Sequence, residues 1–63
     1  MNTKANELRA RRLKAGLTRA ELAVCANVTA MSIGNYERGK AMPSVSTAIL
    51  IAAALKCEVH SIW

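Results

Sequence analysis

Two threonines constrain this chain more than any other feature: Thr18 and Thr29 each open a segment with the pattern of a helix start, and only three residues with the character of a turn separate those segments. The Thr18 hydroxyl can accept a hydrogen bond from the backbone N–H of Glu21, while the Glu21 carboxylate reaches back to the N–H of Thr18, a reciprocal capping box. Leu17 and Leu22 stand where a hydrophobic staple needs them. Thr29 repeats the pattern in weaker form, with Ser32 at the third helical position and Val28 and Ile33 as the staple pair. Between the two lie Ala26, Asn27 and Val28. Asn27 falls just past the first of these helices, where the chain must turn through a left-handed conformation, and asparagine tolerates that better than any residue except glycine. One such site is weak evidence; two in succession specify a helix, a tight turn and a second helix.

Size and charge narrow the setting. A chain of 63 residues is one domain, 1–63, near the lower limit for folding alone, because it buries only about 60% of the surface its unfolded form exposes. A formal charge of +5 in so small a body points to a polyanionic partner, since Lys and Arg release condensed counterions when they neutralise phosphates. Ribosomal RNA, membranes and acidic proteins are the other partners open to a basic chain. The apolar fraction of 52% comes from Ala, Leu, Ile and Val, with one Tyr, one Trp and no Phe. RNA-binding sheets and OB-folds need several rings for stacking, so this composition argues against both.

Other classes lose support on similar grounds. The apolar run Ala48–Leu55 is too short to span a bilayer, and no apolar segment follows the N-terminal Lys, so neither a membrane span nor a signal peptide is expected and the address is cytoplasmic. Cys25 and Cys57 are isolated, and with the lone His60 they leave a tetrahedral zinc site one ligand short. A disulfide does not fit a reducing cytosol, so both cysteines are treated as small apolar side chains. One His, four carboxylates and no Gly-rich phosphate loop supply no nucleophile with its base. Neither an enzyme nor a cofactor is expected, and no small-molecule ligand site is evident.

A coarse pass along the chain gives five short helices around one core, an all-α fold. The first runs from about Lys4 to Ala15 and stops at Gly16, its apolar face carrying Ala5, Leu8 and Ala15. The second runs from Arg19 to about Cys25, with Ala20, Leu22, Ala23 and Ala26 available for packing. The third runs from Ala30 to about Arg38, where Gly39 ends it. Lys40–Pro43 is a loop, because Pro43 disfavours helix in the residue before it. Ser44 caps a fourth helix to about Lys56, with Ile49, Ala52, Ala53 and Leu55 supplying core, and Val59–Trp63 forms a short closing turn.

Two charges interrupt the apolar stripes. Arg12 lies in line with Leu8 and Ala15, and Glu37 lies one turn after Ile33. Burying either alone costs several kcal/mol, whereas a hydrogen-bonded pair roughly offsets its desolvation. An Arg12–Glu37 pair tying the first helix to the end of the third is therefore expected, the alternative being that each side chain snorkels to solvent.

Taken together, these residues resemble the lambda-repressor-like, or XRE-type, helix-turn-helix proteins of bacteria and phages. The matching segment runs from LRARRLKAGLTRAELA through NVTAMSIGNYERGKAMPS to IAAAL and covers nearly the whole chain. The resemblance implies a helix-turn-helix formed by helices 2 and 3, the third helix entering the major groove of double-stranded DNA while the second crosses the backbone. It places Thr29, Ala30, Met31, Ser32 and Asn35 against bases, and Arg19, Arg38 and Lys40, with Lys4 and Arg9 as weaker candidates, against phosphates. The family's interhelical Arg–Glu pair falls on Arg12 and Glu37.

The sequence departs from the family in two places. Where members commonly carry Gln, Arg or Ser, this chain has Ala30 and Met31, which can pack on a thymine methyl but cannot make bidentate hydrogen bonds. Asn35 is then the best hydrogen-bonding reader, preferably of adenine, and DNA shape carries part of the discrimination. Gly34 weakens its helix by about 1 kcal/mol relative to Ala; close approach of the DNA backbone or a partner accounts for it, and so does simple tolerance. The second departure is apolar: Leu50, Ala53, Val24, Cys25, Ile62 and Trp63 stand where the family usually has charge, and such patches tend to mark interfaces. The family's subunit contact lies near the last helix, which implies a symmetric homodimer through Leu50, Val59, Ile62 and Trp63 on a palindromic operator; alternatively, Trp63 only closes the core of a monomer. The expected function is a transcriptional regulator acting as a repressor. A protein-interaction module such as an antitoxin, with DNA binding secondary, is the alternative.

Overall fold

The computed structural model describes residues 3–63, with side-chain surroundings from Glu7 onward. Four α-helices follow one another: α1 (Thr3–Lys14), α2 (Arg19–Ala26), α3 (Ala30–Glu37) and α4 (Val45–Ala54). A single 3-10 turn, Val59–Ser61, comes after them. The fifth expected helix is thus one turn of 3-10, because so few residues cannot sustain an α-helical ladder of their own.

The helix starts follow the side chains that precede them. Thr18 Oγ1 accepts from the Glu21 N–H at 3.0 Å and Glu21 Oε1 accepts from the Thr18 N–H at 2.8 Å, so the capping box closes. Thr29 Oγ1 accepts from the Ser32 N–H at 3.1 Å, and Ser44 Oγ from the Thr47 N–H at 3.2 Å. Each such cap contributes about 1 kcal/mol relative to Ala.

All four helices end by one device. The backbone N–H groups of Leu17, Val28, Lys40 and Cys57 reach back to the carbonyls of Arg12, Ala23, Asn35 and Ala52 at 2.9–3.2 Å. The residue before each donor is left-handed: Gly16 at φ 77°, Asn27 at 58°, Gly39 at 75° and Lys56 at 56°. This is the Schellman arrangement, which satisfies carbonyls that the helix leaves without partners. Gly16, Asn27 and Gly39 suit it, but Lys56 is a side chain forced into a conformation that glycine prefers. For that reason the fourth helix ends at Ala54 rather than at Lys56.

Each element sends one large aliphatic side chain to the centre. Leu8 from α1, Leu22 from α2, Ile33 from α3, Ile51 from α4 and Ile62 from the end of the 3-10 turn are all fully buried. Each contributes about 1.5–3 kcal/mol relative to exposure. Ala23, Ala26, Ala48 and Ala52 are buried between them, and their small side chains let the helices approach. In this arrangement α2 packs on α3 and α4, α1 packs on α3, and the 3-10 turn folds back onto α4. Tyr36 and Trp63 meet edge to face, with ring centroids 6.3 Å apart, at the margin of this core.

Several expected core positions differ. Ala15 and Ala20 are exposed: Ala15 lies beyond the last residue of α1, and Ala20 points outward from the first turn of α2. In α4 the inward residues are Ala48, Ile51 and Ala52, with Leu55 half-buried, whereas Ile49 and Ala53 are exposed. No charged residue interrupts Val45–Ala54 and its polar residues, Ser46 and Thr47, stand only in the first turn, so its sequence carries a weak signal of phase. The side chains of Lys4 and Ala5 lie outside the described residues. Among the described residues no helix is long and apolar enough to cross a membrane.

Candidate nucleic-acid interface

The turn between α2 and α3 aims the second of these helices outward along one side. Ile33 and Glu37, one turn apart, are buried, while Ala30, Met31 and Arg38 are exposed and Ser32 and Asn35 half-buried. Met31 is the extreme case, with 74% of its surface open to solvent. At the start of the helix Thr29 Oγ1 donates to Ser32 Oγ at 3.1 Å while accepting from the Ser32 N–H. The two hydroxyls are therefore locked to each other, and the Ser32 hydroxyl hydrogen is the one left for a partner.

Behind this face sits a buried carboxylate held by two arginines. Arg12 Nε donates to Glu37 Oε2, its Nη2 lies 3.4 Å from Oε1, and its Nη1 donates to the Leu17 carbonyl at 2.9 Å. The expected Arg12–Glu37 pair thus forms, with both residues buried. A third member joins it: Arg19 Nε donates to Glu37 Oε1 at 3.1 Å. A buried carboxylate needs this many donors, because an unpaired charge in the interior costs several kcal/mol. Arg19 stood among the residues expected at phosphates, and nothing in the sequence signalled its second partner; with its side chain 41% exposed and only Nε engaged, its outer nitrogens remain available.

Gly34 acquires a physical reason. A Cβ at this position would meet Arg38 Nη1 at 3.3 Å and Arg19 Nη1 at 3.5 Å. The two guanidinium groups converge over the bare backbone of α3, one from the start of α2 and one from the end of α3 itself. Gly34 is buried by these side chains of the same chain, so neither a partner nor DNA is needed to account for it. Arg38 Nη2 also donates to Asn35 Oδ1 at 3.0 Å, so the expected base reader and the expected phosphate contact are joined.

The remaining candidates scatter more widely. Lys40 is exposed just beyond the left-handed Gly39, and Arg9 is exposed on α1. The expected dimer residues differ in exposure. Ile62 is fully buried in the core, Val59 and Trp63 are half-buried against it, and Leu50 is 43% exposed. Ile62 is therefore not available as an interface residue, because closing the core requires it. Besides Met31, the exposed large apolar side chains are Leu13 on α1, Val24 on α2, Met42 in the loop before α4, and Val45, Ile49 and Leu50 on α4. Cys25 is exposed and Cys57 half-buried, both as free thiols.

Comparison with known proteins agrees with this geometry. A family model described as helix-turn-helix matches residues 8–62. Among solved structures, the chain is similar to the P22 c2 repressor protein, determined in complex with synthetic operator 9T in the presence of Tl+. The match has a TM-score of 0.92 at 24% sequence identity and covers 98% of this chain and 94% of that one, a likeness of fold. No curated protein sequence matches the chain.

Proposed function

The chain belongs to the lambda-repressor-like helix-turn-helix family, and from this premise we propose that it is a sequence-specific double-stranded DNA-binding regulator that represses transcription by occupying its operator. The observation that carries the reading is the charge of the exposed face of α3. Its one carboxylate, Glu37, is buried and paired inward, while Arg38 and Lys40 border the face and Arg19 keeps its outer nitrogens toward it. A polyanion approaching this side meets no exposed acid on the helix. Ala30 and Met31 offer apolar contact to thymine methyls, and Ser32 and Asn35 offer hydrogen bonds to base edges.

The reading extends to a homodimer on a palindromic operator, working in the cytoplasm. Two copies related by a twofold axis set their recognition helices about 34 Å apart, one helical turn of DNA. What supports it is the exposed apolar surface of Val45, Ile49 and Leu50, which lies on a helix without charge in a chain of net charge +5. Like-charged copies approach there with the least repulsion. The same surface supports a second reading, an antitoxin-like module that binds a different protein.

Fluorescence anisotropy with labelled duplexes tests the proposal. Affinity should fall steeply between about 50 and 200 mM salt, because each phosphate contact releases counterions. Binding that ignores salt over this range counts against the DNA reading, and co-purification of a stoichiometric protein partner with no DNA affinity favours the second.

A further inference from the structure

The bond between Arg38 and Asn35 bears on which base the helix selects. An asparagine carboxamide carries an acceptor and a donor, and matching adenine takes both: Oδ1 accepts from the N6 amino group while Nδ2 donates to N7. Here Arg38 Nη2 donates to Oδ1 at 3.0 Å. The guanidinium has no acceptor, so it determines which end of the carboxamide faces it, and the NH2 end is left on the other side. The cation beside Oδ1 also opposes the approach of a second donor such as the adenine amino group. An acceptor is welcome in the same place.

We propose that Arg38 sets the base preference of α3 by holding the Asn35 oxygen, so that Asn35 meets DNA as a donor and selects guanine, through O6 and N7, over adenine. Arg38 acts here as a positioning residue. The convergence over Gly34 fits this role, because the neighbouring Arg19, held at Nε by Glu37, closes one side of the space in which the Arg38 side chain lies. The Arg38 N–H groups not used by Asn35 remain for a phosphate, which links backbone placement to base selection through one side chain. This inference rests on the DNA-binding reading, and it replaces the adenine preference expected from residue type alone.

The test is selection of bound duplexes from random sequence with four purified full chains: the wild type, Asn35→Ala, Arg38→Met and Arg38→Lys. The wild type should select guanine over adenine by about tenfold at one base pair per half-site. Asn35→Ala should flatten that position, Arg38→Met should reverse it to adenine, and Arg38→Lys, which still donates to Oδ1, should keep guanine. A wild type that selects adenine there, or an Arg38→Met chain with an unchanged preference, overturns the proposal while leaving DNA binding intact. No enriched sequence with the wild type overturns the DNA-binding reading and the proposal with it. Nuclear magnetic resonance of the free protein separates the parts: Arg38→Met should move the Asn35 side-chain amide signals without DNA, and an unmoved signal shows that the link is absent.

Discussion

Arg19, the first residue of α2, donates from Nε to Oε1 of Glu37, the last residue of α3, at 3.1 Å. The bond spans the whole helix-turn-helix, so the outer ends of the two helices are tied together while the tight turn holds their inner ends. Because Arg12 of α1 holds the same carboxylate, the angle of α3 is referred to both α1 and α2 at one buried group. The crossing of α2 and α3 is set by packing at Leu22 and Ile33 and then pinned by charge.

Glu37→Gln keeps the shape of this group and removes its charge. Arg12 is then buried without a counter-ion, at an expected cost of about 3–5 kcal/mol. The thermal midpoint should fall by more than about 10 °C. Arg19→Gln removes a half-exposed partner and should cost no more than about 1 kcal/mol. Circular dichroism melts of the two variants check both; equal losses would mean that the arginines are not ranked by burial as the structure ranks them.

Gly34→Ala sets two effects against each other. Alanine favours the helix interior by about 1 kcal/mol. The new methyl would stand 3.3 Å from Arg38 Nη1, so this flexible end must shift by a few tenths of an ångström, while Arg19 Nη1 at 3.5 Å is in ordinary contact. Stability should rise by up to about 1 kcal/mol, while affinity for DNA falls because Arg38 is pushed from its place. Chemical denaturation and anisotropy report the two separately. A variant that binds more tightly than the parent contradicts the role given to Arg38.

Lys56→Gly tests the strain at the end of α4. At φ 56° a lysine holds a left-handed conformation that costs non-glycine residues about 1 kcal/mol or more. Glycine loses more backbone entropy on folding, which offsets part of the gain. The expected result is a stabilisation of about 0.5 kcal/mol with an unchanged denaturant slope. A loss of stability would indicate that the lysine side chain contributes more than its backbone strain removes.

Ile62→Ala and Leu50→Glu separate core from interface. Removing the fully buried Ile62 side chain should cost about 2–5 kcal/mol and broaden or abolish the melting transition. Leu50 is 43% exposed, so glutamate there should leave the fold intact and weaken self-association. Sedimentation velocity read beside the melts distinguishes them. If Leu50→Glu sediments as the wild type does, α4 is not the dimer face.

Much of this molecule was legible because its information is local. Thr18, Thr29 and Ser44 announced three helix starts, Gly16, Asn27 and Gly39 announced three ends, and each acts on groups within a few residues of itself. The Arg12–Glu37 pair was legible for a different reason: a charge in an apolar stripe has few physical solutions, and pairing is one of them. Arg19 as a third member was not, since its position at a helix N-terminus is sufficient to account for an arginine. Nor was the Asn35–Arg38 link, because a spacing of three allows contact on a helix but does not select one rotamer over another.

The sequence by itself determined the elements, the left-handed turn at Asn27 and the need for a partner at each interior charge, because capping, glycine and burial are local or nearly local terms. Tertiary structure alone decided the facing of α4, the loss of Ile62 from any interface and the left-handed Lys56. An uncharged helix with polar residues only in its first turn has a weak intrinsic phase, so the core chose Ala48, Ile51 and Ala52, and the chain then turns back sharply at Lys56 to bring Ile62 into the remaining space.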